Sequence, residues 1–403
     1  MSRAIRIPLA WKNLTHDRVR MALFAAGIGF AVVLMFVQLG CRFALLDSSS
    51  LLLEKLNAHL VLAPRQQSTV VIRCLFPRQV LDRARGVAGV DKTYPLYIEY
   101  SRSVLRDANE NESKRDKSQA IRVLGLDPDA FLIDMPQLDP HGPESRTADL
   151  RLTGRALFDQ RGKRGPGGES GYGPVRIGKH TDLSGHQIYF SGFVELGSDF
   201  GANGTLIVSE ETFRRSLRSS PLAPGMDMID LGLIRLAPGA DLSAVQNELR
   251  SRLAADGVEV FTREQFIAHE QDFWKENTPV GYIFGFGVGI GFLVGLVICF
   301  QILSGDIRDN LPAYATLRAI GYSNAYLVAV VLEESLLLAV LGFVPGLIFS
   351  AGSFELLAYI TELPMKLSLG RVAFVFLLTV IMCVVSGLIA VRQAMKVDPA
   401  EVF

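Results

Sequence analysis

The sequence predicts a membrane protein with an α-helical four-span transmembrane domain and a large α+β extracytoplasmic (periplasmic) domain between spans one and two. Two observations carry this reading. The mean hydropathy is positive, +0.28, although 20% of the residues are charged, so the apolar residues must be gathered rather than spread. They are: unbroken runs at 21–41, 280–303, 325–351 and 372–391 flank a long stretch of ordinary soluble composition. Each run reaches the roughly 20 residues that a bilayer crossing requires at 1.5 Å rise per residue. Inside hydrocarbon the backbone amides must be satisfied within the segment, so each run is expected to be a helix.

In chain order, 1–20 is expected to be a cytoplasmic segment. Arg3, Arg6, Lys12, Arg18 and Arg20 face only one nearby acid, Asp17, and this excess holds the N-terminal end inside. The first span covers 21–43. Its apolar run is longer than the core of a cleaved signal peptide, and Gln38 stands where a lipoprotein box ending at Gly40-Cys41 would need an aliphatic residue, so a spanning helix is expected. The external domain then runs over 44–279, followed by span two at 280–303, a cytoplasmic loop at 304–324, span three at 325–351, a short external loop at 352–371, span four at 372–391 and a cytoplasmic end at 392–403.

Within the external domain, apolar spacing over 45–60 predicts a helical stalk continuing the first span. Strand-like composition marks 59–62, 69–73, 97–105, 121–126, 187–195, 205–209, 231–236 and 258–261. A helix is expected over 77–85, with Pro77 at its start and Gly86 after it. Another is expected over 242–253 with Asp241 as its cap, which makes a β-α-β unit with the flanking strands. The alternation suggests a small ferredoxin-like module beside a more β-rich one. The charged run 107–117 and the Gly- and Pro-rich 162–173 are expected to be loops.

The side chains available for chemistry exclude more than they suggest. Equal totals of 41 basic and 41 acidic residues, with no basic stripe, argue against nucleic acid as a partner. Of four cysteines, Cys299 and Cys383 lie inside spans, Cys41 ends one, and only Cys74 lies clearly in the external domain, so no disulfide framework is available there. His180 and His186 lack a ligand cluster, and no metal or cofactor site is expected. Gly173, Gly178 and Lys179 have phosphate-loop spacing, but His180 stands where a hydroxyl must hold magnesium, so the match is read as coincidence. Asp127 and Asp129 flank Pro128 in what reads as a turn, and no catalytic constellation is found.

Inside the membrane, Gly287, Gly291 and Gly295 recur every four residues and form a groove for close helix contact, either within one subunit or at a dimer seam. Glu333 and Glu334 are ionisable groups within a span, either functional or close enough to the cytoplasmic edge to reach water. In the cytoplasmic loop, Asn310 can cap a short helix with Pro312 in its first turn and Gly321 at its end. Ala313, Leu317 and Ile320 share one face, Tyr314 and Arg318 another. Such a helix is either a docking element or an interfacial anchor.

The four-span layout with one long external domain resembles the MacB/FtsX/LolC type of mechanotransmitting ABC membrane subunits. The runs P-L-A-W-K-N-L at 8–14, Y-A-T-L-R-A-I-G-Y at 314–322, L-G-F-V-P-G at 341–346 and D-P-A-E-V-F at 398–403 resemble the DevC-type permeases of heterocyst-glycolipid exporters. The resemblance implies a MacB-like periplasmic domain, an FtsX-like permease domain over 279–403, and a non-catalytic subunit of an exporter in the inner membrane. It implies a homodimer seated on cytoplasmic ABC ATPase subunits (DevA-like), with a periplasmic membrane-fusion protein (DevB/HlyD-like) and a TolC-like outer-membrane channel above. It also implies that the loop docks on the ATPase through Asp306, Asp309, Pro312, Tyr314, Leu317, Arg318 and Gly321. A regulator of an external cell-wall hydrolase, of the FtsX kind, is the alternative; cytoplasmic parts too short for a signalling domain disfavour a sensor.

Overall fold

In the computed structural model the described residues are 18–100, 103–106, 118–162, 172, 175–199, 201–217, 227–309, 316, 320, 322–361, 365 and 367–394. The elements in chain order are α1 (Arg18–Ser49), α2 (Leu51–Glu54), β1 (Leu60–Pro64), β2 (Phe76–Pro77), α3 (Gln79–Arg85), β3 (Val90–Glu99), β4 (Val104–Arg106), β5 (Ser118–Ala120) and β6 (Arg122–Leu126). Then come α4 (Thr147–Leu150), β7 (Arg155–Asp159), β8 (His180–Leu183), β9 (His186–Val194), β10 (Thr205–Ser209), α5 (Glu210–Leu217), β11 (Met228–Ile229), β12 (Leu231–Leu236), α6 (Leu242–Arg252), β13 (Val258–Thr262) and α7 (Arg263–Glu276). The chain closes with α8 (Pro279–Asp309), α9 (Asn324–Thr361) and α10 (Leu369–Ala394). Two compact units result: residues 1–43, 279–357 and 365–403 form one, and 44–278 with 358–364 the other.

The external unit is built on one sheet, ordered β13-β1-β12-β3-β6-β10-β7-β9-β8-β4-β5 among the described residues. Its first four strands are all antiparallel neighbours, and α3 joins β1 to β3 while α6 joins β12 to β13. Each of these β-α-β connections is split by a strand of the other, which is the ferredoxin-like arrangement. Everything from β4 to β11 is inserted between its second and third strands; β4 to β10 extend the sheet from the β3 edge, while β11 pairs with β2 in a separate two-stranded sheet.

Alternation along the strands fixes which face each helix covers. Leu60 and Leu62 of β1, Ile234 of β12 and Val258 and Val260 of β13 share a core with Val80, Leu81 and Ala84 of α3 and Val245 and Leu249 of α6. Val61 and Ala63, Leu96 and Ile98, Leu231 and Leu233 point the other way, onto Leu52 and Leu53 of α2 and Phe266 of α7. With both faces covered, β1, β6 and β10 are buried along their whole length, which is why apolar residues stand side by side in them without alternation.

Several expectations need correction. Residues 69–73 form no strand: the amide of Val70 donates to Glu270 Oε2 at 2.8 Å, and that of Val71 to its neighbour Thr69 Oγ1 at 3.3 Å. The strand expected over 97–105 begins at Val90 and ends at Glu99, with Val104–Arg106 a separate element pairing with β5 and β8. The helix expected from Pro77 starts at Gln79, because Pro77 pairs with Met228. The stalk expected over 45–60 breaks at Ser50 and stops at Glu54; the hydroxyls of Ser48, Ser49 and Ser50 turn back onto the carbonyls of Leu45, Leu46 and Asp47 and compete with helix continuation. The loop expected over 107–117 lies outside the described residues, as does most of 162–173.

The partner of α2 is α7, whose Thr262 accepts from the amide of Gln265 while the Gln265 side chain accepts from the amide of Thr262, a capping box. On α7, Glu270 accepts from Thr69 Oγ1 at 2.5 Å, the Val70 amide at 2.8 Å and Trp274 Nε1 at 2.8 Å, strapping the 65–75 segment to the helix. Burial raises the Glu270 carboxyl above its ordinary range despite these donors. A raised folded pKa means its contribution to stability is full below the unfolded value of about 4.3 and declines as pH rises through the folded value. Glu270→Gln, uncharged at every pH, is expected to flatten that part of the decline in thermal unfolding of the full chain, followed by circular dichroism. It is also expected to cost about 1 kcal/mol, because one oxygen becomes a donor among donors. An unchanged pH profile would show that Glu270 does not set the decline.

Candidate functional site

The membrane helices α1, α8, α9 and α10 meet along four seams, each set by small residues. On α8, a β-carbon at Gly287 would lie 2.5 Å from Gln38 Cδ, and one at Gly291 3.3 Å from Met35 Cγ. At Gly295 it would lie 2.7 Å from Ala31 and also collide with Met382 Sδ. The structure therefore places all three glycines against α1 of the same chain, with Gly295 also against α10. Ser386 of α10 donates to the Leu296 carbonyl of α8 at 2.8 Å.

The crossing of α1 and α9 brings backbone against backbone. A β-carbon at Gly342 would sit 2.5 Å from Ile28, and one at Gly346 2.8 Å from Val32 and 3.0 Å from the Gly29 carbonyl oxygen. At Gly29 it would sit 3.3 Å from the Gly342 carbonyl oxygen, so the two backbones are in direct contact. Phe36 and Phe343 close this seam with ring centroids 6.0 Å apart. Between α9 and α10, Gly387 faces Ser335 Oγ, and Phe343 meets Phe376 edge-on at 5.0 Å. The G-x-x-x-G spacing of Gly342 and Gly346 inside an apolar run is the sequence signal for this crossing.

All four helices outrun the expected spans. Span two, expected to stop at 303, continues to Asp309, because helical hydrogen bonds need no hydrocarbon to persist. Asp306 and Asp309, assigned to the loop, therefore lie in the last turns of α8, half-buried and exposed respectively. Pro312, Tyr314, Leu317, Arg318 and Gly321 lie outside the described residues. Of the loop, the Ile320 amide donates to the Thr316 carbonyl at 3.1 Å, a helical i to i−4 bond, and Ile320 is 71% exposed. Tyr322 lies against Tyr326 of α9 at a centroid distance of 4.7 Å. On α9, Glu333 and Glu334 part company: Glu333 is exposed while Glu334 is 1% exposed, directly before Ser335 at the α10 seam.

In the external unit, the Asp129 amide donates to Asp127 Oδ1 at 3.0 Å, the turn expected of that pair, and Asp129 meets Arg151 at 2.5 Å. His180 opens a strand rather than a helix, so the phosphate-loop spacing there lacks the helix its chemistry needs. His180 pairs with Tyr189 and His186 with Leu183 in the same hairpin. Among the described residues, no group of three or more His, Cys, Asp or Glu could hold a metal ion. What the sequence did not reveal is a buried polar centre: Arg122, 1% exposed, pairs with Asp199 and donates to Thr205 Oγ1 at 2.7 and 3.0 Å and to Tyr100 at 3.2 Å. Burial by itself pulls the guanidinium down, but Asp199 and Tyr100 beside it hold it above its ordinary value. Asp159, buried nearby, accepts from the amides of Arg161, Leu196 and Gly197, and burial raises its carboxyl nonetheless.

Among the described residues, four helices long and apolar enough to cross a membrane, packed through small-residue seams, together with the α+β unit inserted between the first and second, define a multi-pass membrane protein. Residues 285–399, which take in α8 from its second turn, the loop, α9 and α10, match the family model for the FtsX-like permease C-terminal domain. The membrane part after the inserted unit is thus similar to the FtsX-like permease C-terminal domain. Among solved structures, the extracellular domain of the noncanonic ABC-type transporter YknZ from Gram-positive bacteria is similar, at 11% identity over 51% of this chain and 99% of that chain, with a TM-score of 0.33. No curated protein matches the chain.

Proposed function

We propose that this chain is the permease subunit of an ATP-binding-cassette exporter, transmitting the motion of a separate cytoplasmic ATPase to its external domain and a membrane-fusion partner to export a lipid-like or other hydrophobic substrate. The match of 285–399 to the FtsX-like permease C-terminal family is the observation that carries it. In this reading both ends of the chain are cytoplasmic, the external unit is periplasmic, and the protein sits in the inner membrane as a homodimer. The loop between α8 and α9 docks on the ATPase, with Asp306 and Asp309 at its entrance and Ile320 offering an exposed apolar side chain. ATP energy enters through differences in affinity between two conformations, without chemistry in this subunit. A heterocyst-type glycolipid is the substrate suggested by the resemblance of the motifs.

Gentle detergent extraction of the tagged protein from its native membranes, with mass spectrometry of what stays bound, tests the proposal. An ATPase together with a periplasmic fusion protein, with or without a TolC-like channel, supports the exporter. An ATPase with a cell-wall hydrolase moves the assignment to a regulator of the FtsX kind, which the same family match accommodates, and no ATPase overturns both. Arg318→Glu is expected to lower ATPase recovery and nucleotide turnover together while leaving the fold intact; unchanged recovery and turnover would remove Arg318 from the docking surface.

A further inference from the structure

On the seam between α8 and α10, Cys299 and Cys383 bring their sulfurs to 3.5 Å, each 1% exposed and neither in a disulfide. The seam holds this pairing from both sides. Gly295 lets Met382 approach within side-chain contact of the α8 backbone, and Ser386 fixes the register by donating to the Leu296 carbonyl at 2.8 Å. The other two cysteines, Cys41 and Cys74, are half-buried. A sulfur–sulfur bond of about 2.05 Å requires the two atoms to close by roughly 1.5 Å, a distance within reach of side-chain rotation when the helices already touch.

We propose that Cys299 and Cys383 are an oxidisable pair that fastens α8 to α10 by a reversible disulfide, with a peroxide as the oxidant. Hydrogen peroxide is small and neutral and can enter the apolar seam. One sulfur, as its thiolate, attacks one peroxide oxygen; the O–O bond breaks, the sulfur becomes a sulfenic acid and the other oxygen leaves as hydroxide, taking up the thiol's proton to give one water. The second sulfur then attacks the sulfenic sulfur, forms the S–S bond and releases the hydroxyl as a second water. Two thiols and one peroxide thus give one disulfide and two waters, the two electrons passing from sulfur to oxygen. The bond joins a span that leads into the 310–323 loop to the last span, and this site stands independently of the export reading.

The test uses the full chain in native membrane vesicles. Peroxide treatment, quenching, denaturation, alkylation with a maleimide and peptide mass spectrometry are expected to show a Cys299–Cys383 cross-linked peptide, with neither thiol alkylated and both recovered after reduction. The cross-link is expected to be lost in C299S and in C383S and kept in a C41S/C74S double variant. A trivalent arsenical, which bridges neighbouring thiols, gives a readout on the unmodified chain that needs no substitution: it is expected to protect both cysteines together. Full alkylation of Cys299 and Cys383 after peroxide treatment that oxidises Cys74, or independent alkylation in the presence of the arsenical, overturns the proposal.

Discussion

Leucine in place of Gly346 is expected to destabilise the membrane unit by about 3 kcal/mol, the upper part of the range for overpacking a close-packed interior. The size follows from what the side chain meets. Its first carbon alone would lie 2.8 Å from Val32 and 3.0 Å from the Gly29 carbonyl oxygen, and that oxygen belongs to backbone, which cannot rotate aside. α1 and α9 must separate to admit it, opening the Phe36–Phe343 contact as they do. Gly285→Leu on α8 is the control, since a β-carbon there meets nothing within 4 Å in the chain, and the loss of a helical glycine is expected to help by up to about 1 kcal/mol. The denaturation midpoint of the purified full chain in mixed micelles checks both. Equal midpoints for the two variants would mean that the α1–α9 crossing contributes no more than an open helix face.

That crossing also shows where sequence reading is strong and where it fails. The spans were legible because hydrocarbon demands length and unbroken apolarity, two properties visible in any window of 20 residues. Their ends were not, because helical hydrogen bonding carries α8 on to Asp309 and α9 on to Thr361 past polar residues such as Asp306 and Glu355 that interrupt the apolar runs. In the external unit, strands buried on both faces announced themselves: 205–209 and 231–236 were expected at the bounds they occupy. The segment 69–73 has the same β-branched composition, yet Glu270, 200 residues away along the chain, takes the amide that a sheet neighbour would have used. Composition reports what a segment could do; a long-range carboxylate decided what it does.

Other features carry local signals in the sequence. Ser184 and Gly185 join β8 to β9 with φ of 49° and 90°, both in the left-handed region that a two-residue hairpin of the primed type requires. Thr262 and Gln265 carry the capping-box spacing that starts α7. The candidate site divides in the same way. Gly287, Gly291 and Gly295 were recognisable from their spacing, but only coordinates could show that their face is spent on α1 and α10 of the same chain. Glu333 and Glu334 are adjacent in sequence, and the 100° step of a helix puts one on an exposed face and the other against the interior.

Methionine in place of Arg122 is expected to cost the external unit about 3–5 kcal/mol, the range for removing one partner of a buried ion pair. Asp199, 4% exposed, would be left buried without its cation, with the Gly201 and Ala202 amides at 2.8 and 2.7 Å as its remaining partners among the described residues. Thr205 and Tyr100 would lose the guanidinium that both now face. The penalty belongs to the stranded charge more than to the lost attraction, and this makes a specific double variant informative. Asn at 199 keeps an oxygen for the two amides while removing the charge, so R122M/D199N is expected to be clearly more stable than the sum of the single losses predicts. Thermal unfolding of the full chain and the two single variants closes the cycle. If the double variant loses the sum of the single costs, the two side chains are uncoupled, and Arg122 stabilises the inserted β-rich region through Thr205 and Tyr100 instead.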